Sequence, residues 1–102
     1  MKRLVLLTLS LSACDTGLVG QTYAAAAAEV VRAVIEPGLA PVQADIAARC
    51  ITDAASRDEN LALARDLGVI AGPSTRALIR DILMRPATRS CLADAGLPQV
   101  EV

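Results

Sequence analysis

Histidine, phenylalanine and tryptophan are missing from this 102-residue chain, and tyrosine and lysine occur once each, as Tyr23 and Lys2. Without histidine the commonest general base and metal ligand are gone. With Tyr23 as the single aromatic ring there is no platform on which single-stranded nucleic acid can stack successive bases. Excess positive charge is missing too: 10 Lys+Arg stand against 11 Asp+Glu, for a net charge of -1 and a pI near 5.2, which argues against binding a phosphate backbone. A chain of this length holds one small domain. Hydrophobic residues make up 54% of it, but 20 of them are alanine, so any core is built from small aliphatic side chains.

The chain begins with Met1-Lys2-Arg3, a positive patch, followed by an apolar run from Leu4 to Ala13 broken only by Thr8, Ser10 and Ser12. That is the shape of a cleaved signal peptide. The run falls short of the roughly 20 apolar residues a membrane-crossing helix needs, and Asp15, Gly17, Gly20 and Gln21 do not continue it. It ends in Leu11-Ser12-Ala13-Cys14. This tetrapeptide resembles the lipobox of bacterial lipoproteins, in which a branched aliphatic and two small residues precede the cysteine that receives the lipid. The competing reading is ordinary secretion with a cut after Ser12, where Ser10 supplies the small residue; the third is an amphipathic N-terminal core helix. The resemblance covers residues 1–14 alone.

The resemblance implies removal of residues 1–13. It also implies a diacylglycerol on the Cys14 sulfur and an amide-linked acyl chain, such as palmitate, on its amino group. Two or three such chains anchor a protein stably. Asp15, directly after the lipidated cysteine, is associated in enteric bacteria with retention at the inner membrane. The resemblance therefore places the protein in the bacterial cell envelope, facing the periplasm, with the inner membrane favoured over the outer. Losing Lys2 and Arg3 leaves arginine as the sole basic residue type and a net charge of -3.

Behind the cysteine, residues 14–22 read as a flexible tether and 23–102 as an all-α domain, a small bundle of four or five short helices. The run Ala24–Ala28 leads into Ala27, Val30, Val31 and Val34 at helical spacing, and Pro37-Gly38 stops that first helix. Pro41 opens a second, with Val42, Ile46, Cys50 and Ala54 as its expected inner stripe and Asp45 facing Arg49 on the surface. Ser56 and Glu59 have capping-box spacing and start a third, expected to reach Leu67 and close at Gly68. Ser74 or Thr75 is the expected cap of a fourth helix carrying Leu78, Ile79, Ile82 and Leu83 inward. Pro86 opens a fifth, which turns Thr88, Cys91, Leu92 and Ala95 inward and ends at Gly96, with Leu97 folding back on Leu92. Val69-Ile70 is the one short β-like patch and reads as a buried connector.

With Cys14 assigned to lipid, Cys50 and Cys91 remain. Both sit on expected inner helix faces in a compartment that oxidises thiols, so a disulfide is the expected state. Such a bridge closes a loop of about 40 residues and is worth roughly 4 kcal/mol in the chain-entropy model. A fold this small, without phenylalanine or tryptophan, needs that staple. The alternative is a small periplasmic thiol-redox protein that cycles the pair, although reactive dithiols usually lie as close as Cys-x-x-Cys. The surroundings Cys50-Ile51-Thr52-Asp53-Ala54 and Cys91-Leu92-Ala93-Asp94-Ala95 are also alike, through an old duplication or by chance.

No phosphate loop and no metal-ligand cluster is present, and no cofactor is expected. Ser56, Ser74 and Ser90 read as caps and surface residues, and Asp58-Glu59 as acids favoured at a helix start. The segment 71–76 offers either a plain helix cap or, with Arg76, an anion contact. Arg76, Arg80, Arg85 and Arg89 form two pairs at a spacing of four. They are candidates for contact with anionic headgroups or an acidic partner, or else an ordinary solvated face with Asp81 paired to Arg85. The sequence therefore points to a lipid-anchored envelope protein of non-enzymatic, structural or interaction type. It leaves the envelope partner and the oligomeric state open.

Overall fold

The computed structural model describes residues 14–102, and the leader read over residues 1–13 lies outside the described residues. The described chain is mostly helical and carries no strand. It consists of α1 (Cys14–Ile35), a 3₁₀ turn (Glu36–Gly38), α2 (Pro41–Ala54), α3 (Arg57–Ala64), α4 (Pro73–Leu83) and α5 (Pro86–Asp94). The expected all-α bundle with one cysteine staple is what forms.

Helix α1 starts at Cys14, so residues 14–22, expected as a tether, are its first turns. Once the alanine run has nucleated a helix, each further residue adds one backbone hydrogen bond. No proline stands between Cys14 and Ile35 to stop it, and Gly17 and Gly20 weaken the helix without breaking it. Pro37 and Gly38 end it as expected, through a single 3₁₀ turn.

The core is a cluster of Ala27, Val31, Val34 and Ile35 from α1, Ala47, Ala48 and Ile51 from α2, Leu63 from α3, and Ile79 and Ile82 from α4. The inner face of α1 is the one its periodicity predicts. That of α2 is only in part: Cys50 is buried as expected, but Ala44, Ala47, Ala48 and Ile51 also turn inward, Val42 is exposed and Ile46 and Ala54 are only half-buried. A stripe spaced strictly by four drifts about 40° per step around a helix of 3.6 residues per turn, so its two ends cannot both face one neighbour. The alanines also let α2 approach α1 more closely than Val42 and Ile46 would. The surface pair expected within α2 is replaced by one between helices. Arg32 Nε of α1 lies 3.0 Å from Asp45 Oδ1, in ion-pair range but without hydrogen-bond geometry.

Local capping signals are realised with two exceptions. The capping box at α3 is complete: Glu59 N–H donates to Ser56 Oγ at 3.1 Å, and Ser56 N–H donates to Glu59 Oε1 at 2.8 Å. Gly96 adopts φ +68°, Leu97 N–H donates to the Leu92 carbonyl and Gly96 N–H to that of Ala93, which is the full Schellman ending. The first exception is α3, which ends at Ala64 rather than Leu67. Asp66 and Leu67 donate instead to carbonyls three residues back, and Gly68 at φ +82° turns the chain away. The second is α4, capped by neither Ser74 nor Thr75. Its N-cap is Gly72, with Pro73 in the first turn, and the side chain that serves this end is the Asp66 carboxylate, which accepts from Thr75 Oγ1 at 2.6 Å and Gly72 N–H at 3.4 Å.

Helices α4 and α5 meet at a corner. Arg85 precedes a proline and is extended, as that position requires. The freed Ile82 carbonyl accepts from Arg85 N–H and, at 2.6 Å, from the hydroxyl of fully buried Thr88. Thr88 thus faces inward as expected, and its hydroxyl spares the corner an unsatisfied carbonyl. Beyond α5, Leu97, Val100 and Val102 pack against the core.

Candidate functional site

The sequence nominated Cys14, the pair Cys50 and Cys91, and four arginines. Cys14 opens α1. Cys50 and Cys91 meet: their sulfurs are at disulfide-bonding distance and their Cα atoms 5.6 Å apart, joining α2 to α5 across a separation of 41 residues. Both lie near the C-terminal ends of their helices, at the two places where the local sequences are alike. Cys50 is 2% exposed and Cys91 is half-buried, so a reductant or partner thiol reaches the bridge only from the α5 side.

The four arginines do not form one uncommitted surface. Arg85, at the α4–α5 corner, grips Glu59 with both terminal nitrogens, Nη1 donating to Oε1 at 2.8 Å and Nη2 to Oε2. It also donates to Asp81 Oδ2 at 2.9 Å and the Ala54 carbonyl at 3.2 Å. Two carboxylates neutralise it and hold it to the ends of α2 and α3. The expected Asp81–Arg85 pair is present, and the larger Glu59 contact joins it from 26 residues away. Arg80 Nε donates to the Val102 carbonyl, which fastens the C-terminal segment to α4. Arg89 borders a groove of about 420 Å³ whose other walls include Leu83, Met84, Leu92, Leu97 and Val100. Arg76 has no ion-pair partner among the described residues.

The Arg85 guanidinium and then the Ser56 N–H hold the Glu59 carboxyl far below its ordinary 4.5, at about 2, while Glu59 and then Asp81 raise Arg85. The carboxyl is acidified by folding, so its contribution to stability is complete above the ordinary value and is lost as pH falls from 4.5 towards 2. The expected outcome is a melting temperature that is flat with respect to Glu59 above about pH 5. Below that it falls, more steeply in the wild type than in Glu59→Gln, which keeps the capping acceptor but not the charge. Thermal melts followed by circular dichroism at stepped pH check this.

The α4 N-terminus, weighed as an anion contact, is served by the chain's own Asp66. Asp66 thereby takes the Gly72 N–H that an anion bound to the helix amides would need. A second groove, of about 360 Å³, runs between α1 and α2 over Ala24, Ala28 and Ala48, with Arg32, Asp45 and Arg49 among its edges. No three His, Cys, Asp or Glu side chains converge among the described residues, and no described helix is long and apolar enough to cross a membrane.

Sequence reasoning missed two partners. Glu59 was found as a cap, while its ion pair with Arg85 has no local signal. Asp66 as the partner of α4 was missed because the nearer Ser74 and Thr75 fit the usual pattern. Comparison with protein-family models, curated proteins and solved structures finds no match to this chain.

Proposed function

We propose that this protein is a lipid-anchored component of a bacterial cell envelope, facing the periplasm, which acts through contacts with membrane or protein rather than by catalysis. The observation that carries the reading is Leu11-Ser12-Ala13-Cys14 behind the basic start Met1-Lys2-Arg3. The paired Cys50 and Cys91 support it, because a stable disulfide belongs to an oxidising compartment such as the periplasm. The retention signal Asp15 favours the inner membrane. The second reading, a thiol-redox protein, has the half-buried Cys91 in its favour and the burial of Cys50 against it.

The test is an intact mass of the protein extracted from membranes of a bacterial expression host, alkylated with and without prior reduction. The expected mass begins at Cys14 and includes acyl chains, and two alkylations appear only after reduction. An unlipidated product cut after Ser12 or Ala13 overturns the anchor. Thiols that alkylate without reduction overturn the bridge and bring the redox reading forward.

A further inference from the structure

The connection between α3 and α4 was expected to be buried, and it is the most exposed apolar stretch described. Leu67 is 53%, Val69 66% and Ile70 92% exposed. Exposing three large aliphatic side chains within four residues loses the gain of burying them, and a contiguous exposed apolar patch marks an interaction surface. The loop is held in shape. Leu67 N–H and Val69 N–H each donate to a carbonyl three residues back, and Gly68 at φ +82° sets the turn. The Asp66 carboxylate ties the base of the loop to Thr75 and Gly72.

The charge of the segment is net positive. Arg65 and Arg76 flank it, and neither has an ion-pair partner among the described residues. Asp66 is the single carboxylate in the segment; its bonds to Thr75 and Gly72 fix its place but leave its charge, so residues 65–76 carry two positive charges against one negative. An apolar tip between uncommitted arginines matches a surface that is apolar within and anionic at its edge, which is the interface of an anionic bilayer.

We propose that the Leu67–Ile70 loop is a membrane-contact element: Leu67, Val69 and Ile70 enter the headgroup–acyl boundary of an anionic bilayer while Arg65 and Arg76 pair with lipid phosphates. This extends the lipid-anchored reading by a second contact. It is tested without the lipid, so the two can fail separately. Every described core residue lies between Ala27 and Val102, so residues 14–102 with Cys14→Ser contain the whole packed fold.

The experiment is co-sedimentation of that protein with vesicles of phosphatidylcholine alone and of an equimolar mixture with phosphatidylglycerol. Binding is expected on the anionic vesicles and not on the neutral ones. Ile70→Glu lowers it roughly tenfold or more, and Arg65→Gln and Arg76→Gln lower it about fivefold each. Ile70 is almost wholly exposed, so these proteins should share the parent's melting curve. Because the chain has no tryptophan, Ile70→Trp supplies a single tryptophan, excited selectively at long wavelength over Tyr23, whose fluorescence should shift to the blue on adding anionic vesicles. Failure to sediment, equal binding to both vesicle types, undiminished binding by Ile70→Glu, or an unshifted emission from the Ile70→Trp protein each overturns the proposal. A dimer in sedimentation equilibrium that Ile70→Glu dissociates, in protein that ignores vesicles, overturns it in favour of a second copy covering the loop.

Discussion

Replacing both Cys50 and Cys91 by alanine is expected to lower the unfolding free energy by about 3–4 kcal/mol and the melting temperature by roughly 15–30 °C. Two features put the effect at the upper part of the usual range. The bridge spans 41 residues, so the unfolded chain regains much freedom when it is removed. Helix α5 is also only nine residues long, and Thr88 is its single fully buried side chain. Nothing comparable holds it to α2. Thermal melts of the wild type with and without reductant, beside the double alanine variant, check this. Reduction alone should reproduce most of the drop, because it removes the crosslink without removing atoms. A melt unmoved by reduction would mean that α5 is held by its own packing and that the bridge has another purpose.

Leu63→Ala is expected to cost about 3–5 kcal/mol, enough to leave little folded protein at 37 °C. Leu63 is fully buried and is the sole buried residue of α3. An eight-residue helix has no independent stability in water, so its docking depends on that side chain. The loss would spread. Glu59, at the start of α3, holds Arg85 at the end of α4, and Asp66, just past its end, holds the start of α4. A cavity under α3 therefore loosens both ends of α4. Chemical denaturation read by circular dichroism gives the free energy. Arg85→Gln in the same background separates the routes: if α3 has already come loose, this second change adds little to the damage.

Legibility followed the distance over which each signal acts. The helical class and the chain breaks at Pro37-Gly38 and Pro86 could be read directly. So could the capping box of Ser56 and Glu59 and the left-handed ending at Gly96. Each depends on hydrogen bonds or dihedrals within about five residues. The cysteine pairing was legible by another route, since assigning Cys14 to lipid leaves two thiols. The tetrapeptide that resembles a lipobox lies entirely in residues 1–14 and owes nothing to packing. Among the readings that departed from the fold are the tether over residues 14–22, the end of α3 and the Asp45–Arg49 pair, and, where packing decided, most of the inner stripe of α2, the cap of α4 and the placement of Val69-Ile70.

The departures decided by packing share a cause. The faces of α1 and α2 are rich in alanine, whose small, uniform side chain lets neighbouring helices settle at several rotations, so periodicity alone does not say which residues turn inward. Asp66 served α4 from well before Pro73 because the loop doubled back, and Glu59 met Arg85 because two helix ends converged. The exposure of Ile70 follows from where α3 and α4 come to rest and not from its hydrophobicity. By itself, the sequence determined that the described chain would be helical and where most helices would start and stop, all from short-range geometry and composition. Tertiary packing alone decided the partners of Asp66, Glu59 and Arg85 and left an apolar loop facing outward, because contacts between distant residues depend on how the helices dock.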